Sequence, residues 1–143
     1  MLSFDTNLAV HAANRDSVWH GKSRSFIESL ATRRDVAICE LMLVELYLKL
    51  RNERIFARPL TAAQAATVCT TYRSNQAWQL IDCAPVMDDV WELAAKSGFA
   101  FRRIIDVRLA RTLLHHGVNE FATANVKDFA KVGFDRVWNP LAT

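Results

Sequence analysis

Apolar and polar positions along this chain predict short strands and longer helices in alternation. The apolar Met1–Phe4 runs into Asp5-Thr6-Asn7, residue types that favour turns and helix N-caps, so we expect a strand leading into a helix. Loosely helical spacing over Ser17–Ala31 precedes a buried strand over Val36–Cys39. The strongly apolar stretch Glu40–Arg51 then predicts a helix with few positions that we expect to face solvent.

The second half of the chain continues the alternation. Thr61 is placed to cap a helix that runs to Arg73. A pattern of apolar residues that ends at Gly117 predicts another helix over Arg103–His115, because glycine is common just past a helix end. The remaining expected elements are a strand over 78–83, a helix over 86–96, a strand over 120–123, a turn or short helix over 125–132 and a strand over 136–138.

This order of elements favours an α/β fold with a central, mainly parallel sheet flanked by helices in three α/β/α layers. The chain has 143 residues, of which 51% are hydrophobic, so we expect one domain spanning residues 1–143. No apolar stretch approaches the roughly 18 residues of a membrane span, and the first residues lack the positive region of a signal peptide. We therefore predict a cytoplasmic protein with no membrane partner.

Charge and cysteine content add little that is specific. The chain carries 18 Lys and Arg against 15 Asp and Glu, a net charge of +3, which is compatible with a polyanionic partner without indicating one. Cys39, Cys69 and Cys83 are widely spaced and have no neighbouring histidines, which argues against a zinc site. We expect them to be reduced and mostly buried.

Four acidic residues fall at or near the ends of predicted strands. Asp5 closes the first strand and Asp128 follows the fourth. Glu45 lies about one and a half turns into the helix after the second strand, and Asp106 lies near the start of its helix. Ligands of a parallel α/β sheet bind outside the carboxyl ends of its strands, and carboxylates gathered there repel one another unless a cation or protons intervene. Mg²⁺ or Mn²⁺ prefers such oxygen ligands and activates water for attack on a phosphodiester. The pattern is therefore compatible with metal-dependent nuclease chemistry.

Each of these residues also has an ordinary structural interpretation. Asp5 is a suitable helix N-cap, and Asp106 a suitable partner for a helix dipole. Glu45 is a helix residue that could face solvent, although its neighbours are apolar. Asp128 and Asn125 are common turn residues. From the residues alone, both interpretations stay open.

Four segments in order resemble the signature of the PIN-domain family, and of VapC toxins within it. They are FDTN at 4–7, ICELMLVELY at 38–47, RRIIDVRLA at 102–110 and ATANVKDF at 122–129. The resemblance spans nearly the whole chain and implies a PIN-like fold. It also implies an endoribonuclease that uses one or two Mg²⁺ or Mn²⁺ ions, the toxic component of a toxin-antitoxin pair.

Carried over residue by residue, the resemblance assigns Asp5, Glu45 and Asp106 to the family's acidic triad as catalytic residues and metal ligands. Many members have a fourth Asp where this chain has Asn125. Asp128 offers a carboxylate one helical turn later, so we expect Asp128 as an outer ligand and Asn125 as a residue that orients water or phosphate.

The resemblance also implies a supporting set around the acidic triad. Thr6, Asn7 and Thr123 match small polar positions that hold the carboxylates through hydrogen bonds. The register of the motif favours Glu45 over the nearby Glu40.

Basic residues next to Asp106 are candidates for binding the substrate. We expect Arg102, Arg103 and Arg108 to contact RNA phosphates, with a solvated helix face as the ordinary alternative and antitoxin carboxylates as another target. No motif encodes which RNA is cut.

A VapC-like protein implies a VapB-like antitoxin and a homodimer, with a heterotetramer or larger assembly as the form that contains antitoxin. The apolar helix Leu41–Leu50, together with Ile55-Phe56, is a candidate groove for the antitoxin, although core packing explains these residues equally well.

Two rival functions remain open: a PIN nuclease of RNA processing outside a toxin pair, and a binding module that has lost catalysis, for which Asn125 is the hint. A nuclease that also cuts DNA is a weaker third.

Overall fold

Five short strands and seven helices make up residues 1–142, which the computed structural model describes. The strands are β1 Leu2–Phe4, β2 Ala37–Cys39, β3 Gln79–Ile81, β4 Glu120–Ala122 and β5 Arg136–Trp138. The helices are α1 Thr6–Ala13, α2 His20–Leu30, α3 Glu40–Leu50, α4 Ala62–Arg73, α5 Met87–Ala94, α6 Arg103–His115 and α7 Val126–Phe129. The predicted single domain of residues 1–143 stays a prediction, and its last residue lies outside the described part.

All the strand pairings between named strands are parallel. One group has the order β1-β4-β5 and the other pairs β2 with β3. A parallel bridge between Leu2 and Val36 connects the two groups, so the strands follow one another in the order β3-β2-β1-β4-β5. This confirms the predicted α/β class with a parallel sheet, and it brings the carboxyl ends of β1, β2 and β4 to the same edge.

Local sequence signals explain where several helices begin and end. Thr61 and Gln64 form a reciprocal capping box that starts α4, as the position of Thr61 predicts. Gly117 follows α6 with a φ of +82°, a backbone conformation that favours glycine. Asp5 caps α1 through its side chain, so the residue that ends β1 also begins the next helix.

The largest core lies against the sheet, and its biggest fully buried side chains include Phe4, Leu46 and Phe121. Helix α1 packs against α2 and α3, and α3 packs against α4, whereas α5 to α7 form a second group. A smaller apolar cluster of Val86, Val90 and Val107 joins α5 to α6. The two helix groups fit the predicted arrangement of helices flanking a sheet.

Three expectations about burial are wrong. Helix α3 is less buried than its composition suggests, because Val44 and Leu48 are 61% and 63% exposed. Of the three cysteines only Cys39 is buried, since Cys83 is exposed and Cys69 lies between these extremes. Phe56 packs into the main core, so it does not line an open groove beside α3. Sequence hydrophobicity does not distinguish an apolar core face from an apolar surface face.

In residues 1–142, the helices are all too short or too polar to cross a membrane.

Candidate active site

The carboxyl ends of β1 and β4 place Asp5 next to Thr123. The backbone N–H of Asp5 donates to the carbonyl of Ala122 at 2.8 Å, which continues the pairing of the two strands. The Thr123 hydroxyl then donates to Oδ2 of Asp5 at 2.7 Å and accepts from the backbone N–H of Asn125 at 2.9 Å. Because Thr123 is fully buried, these contacts fix the orientation of the Asp5 carboxylate.

Asp5 is a buried carboxylate, only 6% exposed. Burial raises its pKa above the ordinary value for an aspartate, while hydrogen bonds from Thr123 and from the backbone N–H of Asn7 act in the opposite direction. The effect of burial on the pKa of Asp5 is therefore larger than the opposite effect of these hydrogen bonds. A carboxylate in this condition is stabilised by a nearby cation.

Glu45 extends from α3 toward the beginning of α1. Its Oε2 accepts a hydrogen bond from the Thr6 hydroxyl at 3.2 Å, and its Oε1 lies 2.9 Å from the Lys49 ammonium. Lys49 also donates to Oδ1 of Asn7 at 2.7 Å. The predicted residues Thr6, Asn7 and Glu45 are thus connected to one another, partly through Lys49.

Lys49 is the member of this site that sequence analysis missed. Its spacing of four residues from Glu45 on the same helix was the available signal, because side chains four apart on a helix are neighbours. The contact with Asn7 had no such signal, since α1 and α3 are distant in sequence. Lys49 places a positive charge within reach of three carboxylates, Asp5, Glu45 and Asp106.

Asp106 lies in the first turn of α6 and is half-buried. Its pKa is raised to about 6, mainly by burial, and further by the negative charges of Asp5, Glu45 and Asp128. Lys49 lowers it. The four predicted acidic residues, contributed by the β1 end, α3, α6 and α7, therefore share one electrostatic environment. We name Asp5, Glu45, Asp106 and Asp128 the acidic cluster.

Asp128 and Asn125 lie at the exposed rim of the acidic cluster. Asn125 precedes α7 without a side-chain capping bond, and its contact with Thr123 is made by its backbone N–H. The backbone carbonyl of Asp128 accepts a hydrogen bond from Nη2 of Arg103 at 3.4 Å. Both side chains remain available to a ligand at the rim.

The three arginines predicted to contact RNA have different surroundings, with Arg102 directly before α6 and Arg103 and Arg108 within it. Arg103 is half-buried beside Asp128, whereas Arg108 is exposed and lines a groove with Glu45. Arg102 is exposed against the ring of Phe101. Arg103 and Arg108 point in different directions, because residues five apart on a helix lie on different faces. Glu40, the nearby glutamate that the register of the motif disfavours, forms an ion pair with Arg73 at 2.6 Å.

The donor chemistry of the acidic cluster suits a hard divalent cation. Its ligands are carboxylate oxygens, which Mg²⁺ and Mn²⁺ prefer, and Lys49 supplies a single positive charge against four acidic side chains. Within residues 1–142, no three His, Cys, Asp or Glu side chains are close enough together to enclose an ion by themselves. An ion here would have to keep water molecules among its ligands, as Mg²⁺ usually does.

The chain is similar to proteins of known family. A model of the PIN domain matches residues 3–135. Ribonuclease VapC24 of Mycobacterium tuberculosis, from strains CDC 1551 / Oshkosh and H37Rv, is 51% identical over 143 residues, which cover all of this chain and 99% of the relative.

Solved structures share the fold at low sequence identity. M. tuberculosis VapC20, described as a sarcin-ricin loop cleaving toxin, has a TM-score of 0.64 at 13% identity and covers 91% of this chain and 94% of its own. FitAcB from Neisseria gonorrhoeae has a TM-score of 0.65 at 19% identity over the full length of both chains. VapBC2 from Rickettsia felis, bound to a DNA fragment from its promoter, has a TM-score of 0.63 at 18% identity, covering 96% of this chain and 98% of that one.

Proposed function

The chain belongs to the PIN domain family and is a VapC-like ribonuclease within it, and we propose that its acidic cluster hydrolyses RNA phosphodiester bonds with a divalent metal ion. The observation that carries this proposal is the convergence of Asp5, Glu45 and Asp106 at one sheet edge, where their charges act on one another. The cut is within the RNA chain, and the protein acts as the toxin of a toxin-antitoxin pair.

We propose that Asp5 and Asp106 are direct metal ligands, with Glu45 as a ligand or an orienter of bound water. The metal is Mg²⁺ or Mn²⁺, one ion or two. An ion held by these carboxylates would lower the pKa of a water molecule and offset the charge that builds on the phosphodiester. Because Mg²⁺ commonly takes only one or two protein carboxylates directly, Asp5 and Asp106 would suffice as its protein ligands.

The remaining residues of the site hold these carboxylates in place. Thr123 fixes Asp5, and Thr6 fixes Glu45, each through a hydroxyl that donates to a carboxylate oxygen. We propose Asp128 as an outer ligand at the rim, with Asn125 orienting water or phosphate beside it. Because these hydrogen bonds hold the carboxylates in position beforehand, the side chains need to move less during the reaction.

Cleavage of a mixed pool of RNA tests this proposal. The wild-type protein, free of antitoxin, should cut the pool only with Mg²⁺ or Mn²⁺ present, and Asp5→Asn and Asp106→Asn should reduce the rate at least about a hundredfold. Asp89→Asn is the matched control, because Asp89 also lies in the first turn of a helix but is exposed on α5. Equal cutting by wild type and all three variants, or none by any of them, would contradict the proposal, and the second result would favour a binding module.

A groove between α3 and α6 supports the proposed antitoxin partner. The groove has a volume of about 310 Å³ and is mainly apolar, with Glu45 and Arg108 among its polar members. Its apolar lining is Leu41, Val44, Leu48, Ile105 and Leu109. We propose that a segment of a VapB-like antitoxin lies here, next to the acidic cluster. The predicted groove combines the helix 41–50 with Ile55-Phe56. In the structure, residues of α6 take the place of Phe56 beside this helix.

Leu48→Asp tests the antitoxin groove. Leu48 is 63% exposed, so the variant should fold but should no longer co-purify with the product of a small reading frame directly upstream. Val18→Asp is the control, since Val18 is 88% exposed and lies outside the groove. Retained co-purification by Leu48→Asp would place the antitoxin elsewhere. Absence of such a reading frame would favour a PIN nuclease outside a toxin pair.

The homodimer and the larger assembly with antitoxin are parts of this proposal that rest on the resemblance to VapC proteins, and the cytoplasmic location is a part that rests on the amino-acid sequence. Light scattering of the purified chain, alone and with antitoxin, measures both assemblies.

A further inference from the structure

A second cavity, with both polar and apolar lining residues, lies on the other side of α6 from the antitoxin groove. It has a volume of about 290 Å³ and is lined by the end of α5 and the turn after it, by α6, and by the segment after α7. Four of its lining residues are cationic: Lys96, Arg103, Arg111 and Lys131. We call it the basic cavity. Among the described residues that line it, none is acidic.

The cations of the basic cavity lack acidic partners in the described part of the chain, although the Arg103 guanidinium lies 5.7 Å from the centroid of the Phe99 ring in the same cavity. Across residues 1–142, none of the four cations forms an ion pair with an acidic side chain. The Nε atoms of Arg103 and Arg111 are buried without any hydrogen-bond partner. A buried donor left unpaired destabilises the folded protein. Within residues 1–142 these two Nε–H groups have no acceptor, although Nη2 of Arg103 donates to the backbone carbonyl of Asp128.

Helix α6 connects the basic cavity to the acidic cluster. Arg103, Val107 and Arg111 are spaced four residues apart and therefore share the face of α6 that lines the cavity. Asp106 follows Arg103 by three residues, and side chains at that spacing are neighbours on a helix. Arg103 also donates to the backbone carbonyl of Asp128 at 3.4 Å. The basic cavity thus begins beside the acidic cluster.

We propose that the basic cavity binds a phosphate group of the RNA strand on one side of the cleavage point. This proposal rests on the proposed function and adds a binding site to it. Arg and Lys contacts to phosphate hold a strand without reading its sequence, and arginine offers the paired donors that suit phosphate oxygens. Positioning the neighbouring phosphate would hold the scissile bond over the acidic cluster.

The chemistry of the basic cavity favours RNA over a protein partner. The large apolar side chains that are exposed on the described surface lie outside it, and two of them, Leu48 and Ile105, line the opposite groove. The apolar residues that line the basic cavity itself are half-buried or buried: Leu93, Phe99, Val107 and Val132. A protein segment needs apolar anchors for affinity, whereas a nucleic acid strand is bound mainly through its charges.

RNA binding without cleavage tests the proposal. A short single-stranded RNA of mixed sequence, labelled for fluorescence anisotropy, is titrated with metal-free protein in EDTA over a series of salt concentrations. Arg111→Gln and Lys131→Gln should each weaken binding about tenfold and lower the slope of log K against log salt by about 0.7. Arg34→Gln, an exposed cation outside the cavity, should leave both unchanged.

Thermal melting separates a binding role from a structural one. Because Nε of Arg111 is unpaired, Arg111→Met should melt no lower than wild type, and inorganic phosphate should stabilise wild type more than this variant. Lower melting of Arg111→Met with unchanged RNA affinity would overturn the proposal and assign the residue a structural role.

The outcomes also distinguish this proposal from the proposed function. If wild type cuts RNA but the cavity variants bind RNA normally, the basic cavity is not a phosphate site while the nuclease function stands. If the variants bind RNA normally and instead lose the antitoxin, the cavity recognises protein carboxylates and the proposal is overturned. If wild type neither cuts nor binds RNA, the proposed function fails and this proposal fails with it.

Discussion

Asp106→Asn should stabilise the metal-free protein. The substitution removes a carboxylate whose pKa is raised to about 6 from 3.8, and it keeps the size of the side chain. At about 1.36 kcal/mol for each pKa unit, the ionised form would cost the folded state about 3 kcal/mol if fully shielded from water. Since Asp106 is half-buried, screening reduces the gain to about 1–2 kcal/mol near neutral pH.

The pH dependence of this gain follows from the direction of the shift. The folded state holds the Asp106 proton more tightly than the unfolded chain, so ionisation of this group destabilises the folded protein. The cost is fully present above the folded pKa of about 6 and disappears as pH falls toward the unfolded value of 3.8. The advantage of Asp106→Asn should therefore be largest above pH 7 and nearly absent at pH 4.

Thermal melting in EDTA measures the effect, with Asp89→Asn as the control that should not change. For a chain of 143 residues we expect Asp106→Asn to raise Tm by about 3–6 °C at pH 7.5. Saturating Mg²⁺ should then stabilise wild type, by about 2.7 kcal/mol at a concentration of 100 times Kd, and the variant much less. An unchanged or lower Tm for Asp106→Asn at pH 7.5, or an equal gain at pH 4, would refute the reasoning.

Three further substitutions test other contacts of the site and the core. Thr123→Val removes the 2.7 Å hydrogen bond to Asp5 and should destabilise the protein by about 1–3 kcal/mol in urea unfolding, while Thr123→Ser should recover most of this. Lys49→Gln removes the cation that lowers the pKa of Asp106, so titration of that carboxyl by NMR should show a pKa above the wild-type value; an unchanged value would mean that Lys49 does not reach the acidic cluster. Leu46→Ala empties a fully buried core position and should cost about 2–5 kcal/mol in the same unfolding assay, whereas Leu48→Ala, on the exposed side of α3, should cost far less.

Elements with strong local signals were predictable from the sequence. The helix over Arg103–His115 and the strand over Arg136–Trp138 match α6 and β5, and the capping box at Thr61 starts α4 as expected. Helix α5 is shorter than the predicted 86–96, because helix ends depend on hydrogen bonds that apolar spacing does not report.

The less predictable features depend on contacts between distant segments. Lys49 joins Glu45 to Asn7 across two helices, and no spacing along the chain encodes that contact. The exposure of Leu48 could not be predicted, because an apolar residue gives the same sequence pattern on a core face and on a binding face. Arg103 and Arg108 are close in sequence yet line different cavities, since the turn of the helix separates them.

Paramagnetic broadening by Mn²⁺ tests the central claim that the acidic cluster is a divalent metal site. Substoichiometric Mn²⁺ is added to the isotopically labelled protein, and the amide signals are compared between wild type, Asp5→Asn and Asp106→Asn. We predict that signals around residues 5–7, 45, 106 and 123–128 broaden first in wild type and persist in both variants. Broadening centred elsewhere, or an identical pattern in all three proteins, would contradict the account.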